Sequence, residues 1–315
     1  MEGEPLDPTS SSKEKVLITG ASGFIGTRLI ELFDRPLVTS RNRERTLAKL
    51  GDQVEDVIEW DPNAGPIQLA PETRIDSVIN LMGESVGEGR WTAAKKQRIR
   101  TSRVAGTRNL VTGIAELNTP PKHLVSTSAV GLYGECGDDE ITEDHSPGDG
   151  FLADLAVEWE QEAIEAKKHG MSVALIRVGL VLGRSGGVLA KLLPIFKFGL
   201  GGKLASGQQW MPWIHVEDVA NIFYQATCER WEGAFNATSP EPVRNVEFTL
   251  RFANQLGRWA LIPVPRFGLS MALGEFSRYV LESQRVIPRN VLSKEFEFRF
   301  ADLESALEDL LSERK

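Results

Sequence analysis

The stretch Lys15-Val-Leu-Ile-Thr-Gly20-Ala-Ser-Gly23-Phe-Ile-Gly26-Thr-Arg-Leu-Ile-Glu-Leu-Phe33 changes its periodicity halfway along. Its first half is a short apolar run with β-branched residues ending in glycine; its second half spaces apolar residues for a helix. The reading is strand, tight turn, helix. Three glycines stand three residues apart in the turn, each with a separate use. Gly20 suits the turn, Gly23 lets backbone approach a pyrophosphate, and Gly26 lets the helix pack close to the strand. The start of the following helix adds unpaired N–H groups and partial positive charge.

Outward from this unit the rhythm repeats. Strands are expected to begin near Lys15, Pro36, Asp56, Ile75, Lys122 and Ser172, with Phe235 on a later one. Helical stretches alternate with them, including a long one over residues 93–117 and FLADLAVEWEQEAIEAKKHG, closed by Gly170. Such alternation implies parallel pairing through right-handed crossovers, hence an α/β fold with a doubly wound Rossmann sheet. Ligands bind at the carboxyl ends of the strands in such sheets, so the loops after Ile18, Thr39, Asn80 and Ser126 should line one crevice. MSVALIRVGLVLG reads as one strand, and KEFEFRF as a strand-like alternation before a terminal helix that Asp302 caps. The expected division is a tail over 1–14, a nucleotide-binding domain over 15–183 and 211–239, and a smaller α/β lid over 184–210 and 240–315.

Composition excludes several classes of function. The formal charge of −8 gives no basis for wrapping nucleic acid or adhering to an anionic membrane. Residues 1–14 lack the apolar core of a signal peptide, and no later run is long and apolar enough to span a bilayer. Two cysteines, Cys136 and Cys228, lack CxxC spacing or a histidine cluster, so no metal site is expected. The reading is a cytoplasmic protein, monomer or homodimer, with a small-molecule substrate.

At the end of the second strand, where an NAD site places a carboxylate on the ribose 2′-hydroxyl, the sequence has Thr39-Ser40-Arg41-Asn42-Arg43. A carboxylate repels a 2′-phosphate, whereas a guanidinium forms a charge-assisted pair with it. NADP(H) is therefore the expected cofactor. The residues expected around it are Gly20, Ser22, Gly23, Phe24, Ile25, Gly26, Ser40, Arg41, Arg43, Asp61, Asn80, Leu81 and Gly83, Asp61 being placed for the adenine amino group.

GASGFIG after the first strand, NLMG after the fourth, STSAVGLYG after the fifth and WIHVEDVA near residue 215 together resemble the extended short-chain dehydrogenase/reductases. The resemblance is closer to the epimerase-like subgroup. Its NLxGE, RW and SRxxGT elements stand here as Asn80-Leu-Met-Gly-Glu84, Arg90-Trp91 and Ser102-Arg-Val-Ala-Gly-Thr107, and SQRVIPRNVLSKEFEFRFADLESAL looks like its short C-terminal domain. The resemblance implies a nicotinamide-dependent oxidoreductase or epimerase acting on a sugar-like or carbonyl compound.

One departure from the family bears on chemistry. The wider family uses a Tyr-x-x-x-Lys pair whose lysine lowers the tyrosine pKa for proton transfer. Aligned through Ser128, those positions are Leu152 and Ala156, which move no proton. The substitutes are Ser128, Tyr133 and Glu84, with a salt bridge from Glu84 to Arg90 or Arg103 as the plainer role. Trp210, Trp213, Phe196 and Phe198 suggest an aromatic wall or lid packing; Arg177 and Arg184 are candidates for an anionic substrate, and His215 reads as a residue before a helix. Two functions fit: an enzyme with an atypical site, or a nucleotide-binding sensor or scaffold with vestigial catalysis.

Overall fold

The computed structural model describes residues 14–260 and 262–312. Apart from Glu14, whose carboxylate accepts from the Ser77 hydroxyl at 2.6 Å, the expected tail lies outside the described residues. Seven strands form the central sheet: β1 (Val16–Thr19), β2 (Leu37–Ser40), β3 (Asp56–Glu59), β4 (Ser77–Asn80), β5 (His123–Ala129), β6 (Ser172–Val178) and β7 (Gly233–Ala237). All pair in parallel, in the order β7-β6-β5-β4-β1-β2-β3. The order reverses between β1 and β4, which opens a crevice at their carboxyl ends.

Both faces of the sheet are covered, which is why β1 and β4 read as unbroken apolar runs. Val16 and Ile18 face one core with Leu29, Val219 and Phe223; Leu17 faces the other with Val78, Leu110, Ile114 and Leu124. The first core is roofed by α1 (Gly26–Leu29), α2 (Arg43–Leu50) and α6 (Val216–Cys228), the second by α3 (Ala93–Ala115) and α4 (Phe151–Ile164). The helix after the glycine turn is shorter than its apolar spacing suggests and passes into a 3-10 turn over Ile30–Leu32.

A third core joins α5 (Gly187–Lys197), α7 (Asn245–Gln255) and α11 (Leu303–Leu311) through Leu189, Phe196, Trp213, Phe252 and Leu307. Between α7 and α11 lie α8 (Arg266–Leu273), α9 (Phe276–Val280) and α10 (Arg289–Leu292).

Two expected strands differ. MSVALIRVGLVLG breaks at Gly179, where a Cβ would overlap the Pro212 carbonyl, so that Leu180–Leu182 leaves the sheet and pairs with Trp213–His215 instead. KEFEFRF forms no strand: the Asp218 carboxylate accepts the N–H groups of Arg299 and Phe300 at 2.9 and 3.0 Å, donors a ladder would need. Asp302 does cap α11, accepting from the Ser305 N–H at 2.9 Å.

Candidate cofactor and active site

The turn after β1 lies at the crevice. Gly20 has φ +68°, and a Cβ there would stand 2.8 Å from the Leu81 carbonyl oxygen at the end of β4. Gly26 packs closer still, 2.5 and 2.6 Å from the Gly20 and Ala21 carbonyls to an added Cβ. Either substitution would push the turn off the sheet. Ser22 and Gly23 form the exposed outer edge. Among the described residues, the N–H groups of Ser22, Phe24 and Ile25 have no hydrogen-bond acceptor. Lys49 reaches across from α2 to donate to the Ser22 carbonyl at 2.6 Å, a cation at this edge that periodicity did not single out.

Phe24 turns its ring away from that edge. Added Cβ atoms on Gly183 would overlap the ring, and those on Gly186 and Gly187 would come within 2.5 and 3.0 Å. The glycine-rich segment leading into α5 thus wraps the side chain of the glycine turn.

At the end of β2 the Ser40 hydroxyl accepts from the Asn42 N–H and from the Thr46 hydroxyl, while the Asn42 side chain caps α2. Arg41 is exposed and has no ion-pair partner among the described residues. Arg43 differs from the expectation: its guanidinium is tied to Asp56 at 2.5 Å, because the neighbouring strand presents a carboxylate there. Asp61 shapes its own turn, accepting from the N–H and side-chain amide of Asn63, both at 3.0 Å.

Asn80 lies deeper than expected. Fully buried, it accepts from the Thr19 hydroxyl at 2.9 Å and donates to Thr107 and Ser126 at 2.9 and 3.2 Å, which ties the ends of β1, β4 and β5 to α3. Every polar atom of its side chain is engaged, so it sets the crevice floor. Leu81 and Gly83 follow on the crevice rim.

The three residues expected to handle protons are likewise engaged. The Ser128 hydroxyl donates to Glu160 at 2.6 Å, and Glu160 makes a two-pronged pair with Arg177 at 2.9 and 3.0 Å. The Tyr133 hydroxyl donates to Asn236 at 2.7 Å and accepts from Arg177 at 2.9 Å. Burial pushes its pKa up to about 12, outweighing the nearby Arg177 cation. Ser128 and Tyr133 are each 1% exposed, so these hydroxyls face the protein interior. Arg177 is correspondingly unavailable to a substrate.

Glu84 pairs with Lys95 at 2.7 Å and Arg98 at 3.2 Å, in place of Arg90 or Arg103. The hydrogen bond from Lys95 is the main cause of its lowered pKa, which keeps it ionised and unsuited to donate a proton. Arg90 instead donates to the Met271 carbonyl at 2.6 Å, linking the loop after β4 to α8.

Leu152 and Ala156 occupy the first turns of α4. Beside them Trp91 packs against Phe151, Phe276 and Tyr279 with ring centroids 5.3, 5.2 and 5.1 Å apart, an aromatic cluster joining α4 to α9. None of the four residues expected as an aromatic wall or as lid packing belongs to this cluster. Trp213 and Phe196 are core residues, Phe198 is 82% exposed, and Trp210 lies between the guanidinium groups of Arg244 and Arg285. Arg184 donates to the Ser312 carbonyl, and His215 caps α6 by accepting from the Glu217 N–H. Among the described residues no group of three or more His, Cys, Asp or Glu is placed to hold a metal, and no helix is long and apolar enough to cross a membrane.

Comparison with known proteins identifies the family. The model of the NAD-dependent epimerase/dehydratase family matches residues 16–236, the span from β1 to β7. The chain belongs to that family. A domain of unknown function, DUF1731, matches residues 264–310, from α8 to α11. The epimerase family protein YfhF of Bacillus subtilis is 37% identical over 306 residues, covering 95% of this chain and 99% of the relative. The chloroplastic SDR39U1 homolog of Arabidopsis thaliana is 37% identical over 317 residues, covering 96% and 89%. The crystal structure of human epimerase family protein SDR39U1 with NADPH superposes with a TM-score of 0.83 at 31% identity, covering 94% of this chain and 98% of that one. The family model thus ends within β7, and the second matched domain begins just before α8.

Proposed function

We propose that the chain binds NADP(H) and is an oxidoreductase or epimerase-like enzyme for a small sugar-like or carbonyl compound. The observation that carries the reading is the pairing of open N–H donors at Ser22, Phe24 and Ile25 with an unpaired guanidinium at Arg41. The donors fit a pyrophosphate, and Arg41 fits a 2′-phosphate at the strand end where an NAD site carries an acid. A human relative crystallised with NADPH supports the same cofactor. When bound, the nicotinamide supplies hydride chemistry; the protein supplies position and electrostatics.

Proton transfer is assigned differently from the wider family. With Leu152 and Ala156 in place of the Tyr–Lys pair, and Ser128 and Tyr133 engaged with Glu160, Arg177 and Asn236, proton transfer falls to the substrate's own groups or to water. The same observation favours a second reading, a binding protein with vestigial catalysis that acts as a sensor or scaffold.

Fluorescence titration with NADPH and NADH, followed by a turnover screen over carbonyl compounds and nucleotide sugars, tests both. NADPH should bind more tightly. Turnover supports the enzyme, tight binding without turnover the sensor, and equal affinity for both nucleotides defeats the cofactor assignment.

A further inference from the structure

The Ser102–Thr107 stretch of α3 holds the loop after β4 in place. Ser102 accepts from the Glu84 N–H at 3.0 Å, and Thr107 accepts from the Asn80 amide and the Trp159 indole, both at 2.9 Å. An added Cβ on Gly106 would stand 3.5 Å from Met82. Arg103 shares in this and has donors left over. Its Nη1 donates to the carbonyls of Glu84 and Ile99 at 2.9 and 3.3 Å. Its Nε and Nη2 have no acceptor among the described residues.

The guanidinium is closely placed. It lies over the Trp159 ring, with Cζ 5.0 Å from the centroid, and against the backbone of Gly83, where an added Cβ would come within 3.0 Å of Cζ and Nη2. Among the described residues no carboxylate is in ion-pair contact with it: the Glu84 carboxylate holds Lys95 and Arg98 and acts on Arg103 only from a distance. Burial draws its pKa down to about 10, which leaves it charged at neutral pH. A desolvated cation with no carboxylate in direct contact is costly, and a ligand acceptor relieves that cost.

Its position indicates which part of a ligand it meets. Gly83 lies in the loop three residues beyond β4, while Arg41 directly follows β2, on the other side of the β1 glycine turn. A dinucleotide whose pyrophosphate sits on that turn and whose 2′-phosphate meets Arg41 directs its nicotinamide half toward β4. Trp159, beneath Arg103, stands three residues beyond Ala156 on α4, on the same helical side as the position where the wider family carries lysine.

Building on the cofactor reading above, we propose that Arg103 is the cation at the nicotinamide end of the crevice, donating from Nε and Nη2 to hydroxyls of the nicotinamide ribose. It stands in for the charge missing at Ala156. A fixed positive charge there repels the oxidised, cationic nicotinamide ring, so Arg103 biases the site toward NADPH over NADP+.

Dissociation constants for NADPH, NADP+ and adenosine 2′,5′-bisphosphate, measured on the full chain and on Arg103→Met and Arg103→Lys, test the assignment. The bisphosphate carries the 2′-phosphate but no nicotinamide. Arg103→Met removes both charged hydrogen bonds and should weaken NADPH by about tenfold or more, and leave the bisphosphate unchanged. The ratio of affinities should also shift toward NADP+, and Arg103→Lys should recover part of both effects. Equal weakening of NADPH and bisphosphate by the lysine variant would assign Arg103 a purely structural role, and unchanged NADPH binding in Arg103→Met would overturn the proposal directly. Failure of the unmodified chain to bind even the bisphosphate defeats the cofactor reading itself, an outcome distinct from either.

Discussion

The Phe24 ring fills the space that a side chain on Gly183 would need, so the glycine turn after β1 and the exit toward α5 pack as one unit. Movement of the α5 segment is thereby coupled to the turn proposed to hold pyrophosphate. Gly183→Ala must displace the ring and, with it, the Phe24 N–H. Overpacking of this kind costs about 1–3 kcal/mol. The variant should lose about that much unfolding free energy and bind NADPH more weakly in a fluorescence titration. Unchanged affinity in a folded variant would show that ring and turn move independently.

Arg41 provides the test of cofactor choice. Its exposed guanidinium has no ion-pair partner among the described residues, whereas Arg43 is tied to Asp56. Loss of one charge-assisted hydrogen bond costs about 1.5–3 kcal/mol, roughly tenfold or more in affinity. Arg41→Ala should therefore bring the dissociation constants of NADPH and NADH together by weakening NADPH alone. Arg43→Ala should change the ratio much less; the opposite ranking, measured by the same titration, would transfer the role to Arg43.

The sheet and the glycine turn were legible in the sequence because both depend on local pattern. Two-sided burial makes β1 and β4 continuous apolar runs, and the spacing of Gly20, Gly23 and Gly26 places the turn. What was not legible depends on residues far along the chain. Nothing near Tyr133 announces that its hydroxyl will meet Asn236 and Arg177, and nothing near Ser128 announces Glu160. The alternation in KEFEFRF resembles a strand until Asp218, some 81 positions earlier, takes the Arg299 N–H. Arg103 was visible within SRxxGT, but its unpaired donors emerge only when Gly83 and Trp159 close around it.

Tyr133 should prove to be a stability residue. Tyr133→Phe removes the donor to Asn236 and the acceptor for Arg177, leaving buried polar groups unmatched at a cost of about 1–3 kcal/mol. The folded-state pKa of about 12 lies above the ordinary value of 10.0, so stability from the neutral phenol is complete below that value and lost as pH rises through about 12. Denaturant melts should show the wild type more stable than Tyr133→Phe at neutral pH, with the gap closing over that alkaline window. NADPH affinity should stay constant. A variant as stable as the wild type at pH 7 would mean that the hydroxyl contributes nothing to the buried network.

Glu282 offers a second titration with the opposite practical consequence. It borders a cavity of about 410 Å³ lined by Glu135, Arg266, Ser270, Ser277, Arg278 and Leu281. Its side chain is only 7% exposed, and Arg278 approaches no closer than 3.9 Å. Burial is the main cause that pushes its pKa up to about 7, Arg278 opposing the rise and the Glu135 carboxylate adding to it. Because the folded value lies above the ordinary 4.5, the carboxyl's contribution is fully present below pH 4.5 and is lost as pH rises through about 7. Above neutrality the wild type must hold a poorly solvated carboxylate. Glu282→Gln keeps the shape and removes that charge, so it should be more stable than the wild type at pH 8 by roughly 1–3 kcal/mol, each pKa unit corresponding to about 1.4 kcal/mol. At pH 4 the two proteins should melt together. An offset of equal size at both pH values would trace the effect to packing and leave Glu282 with no part in the pH dependence of folding.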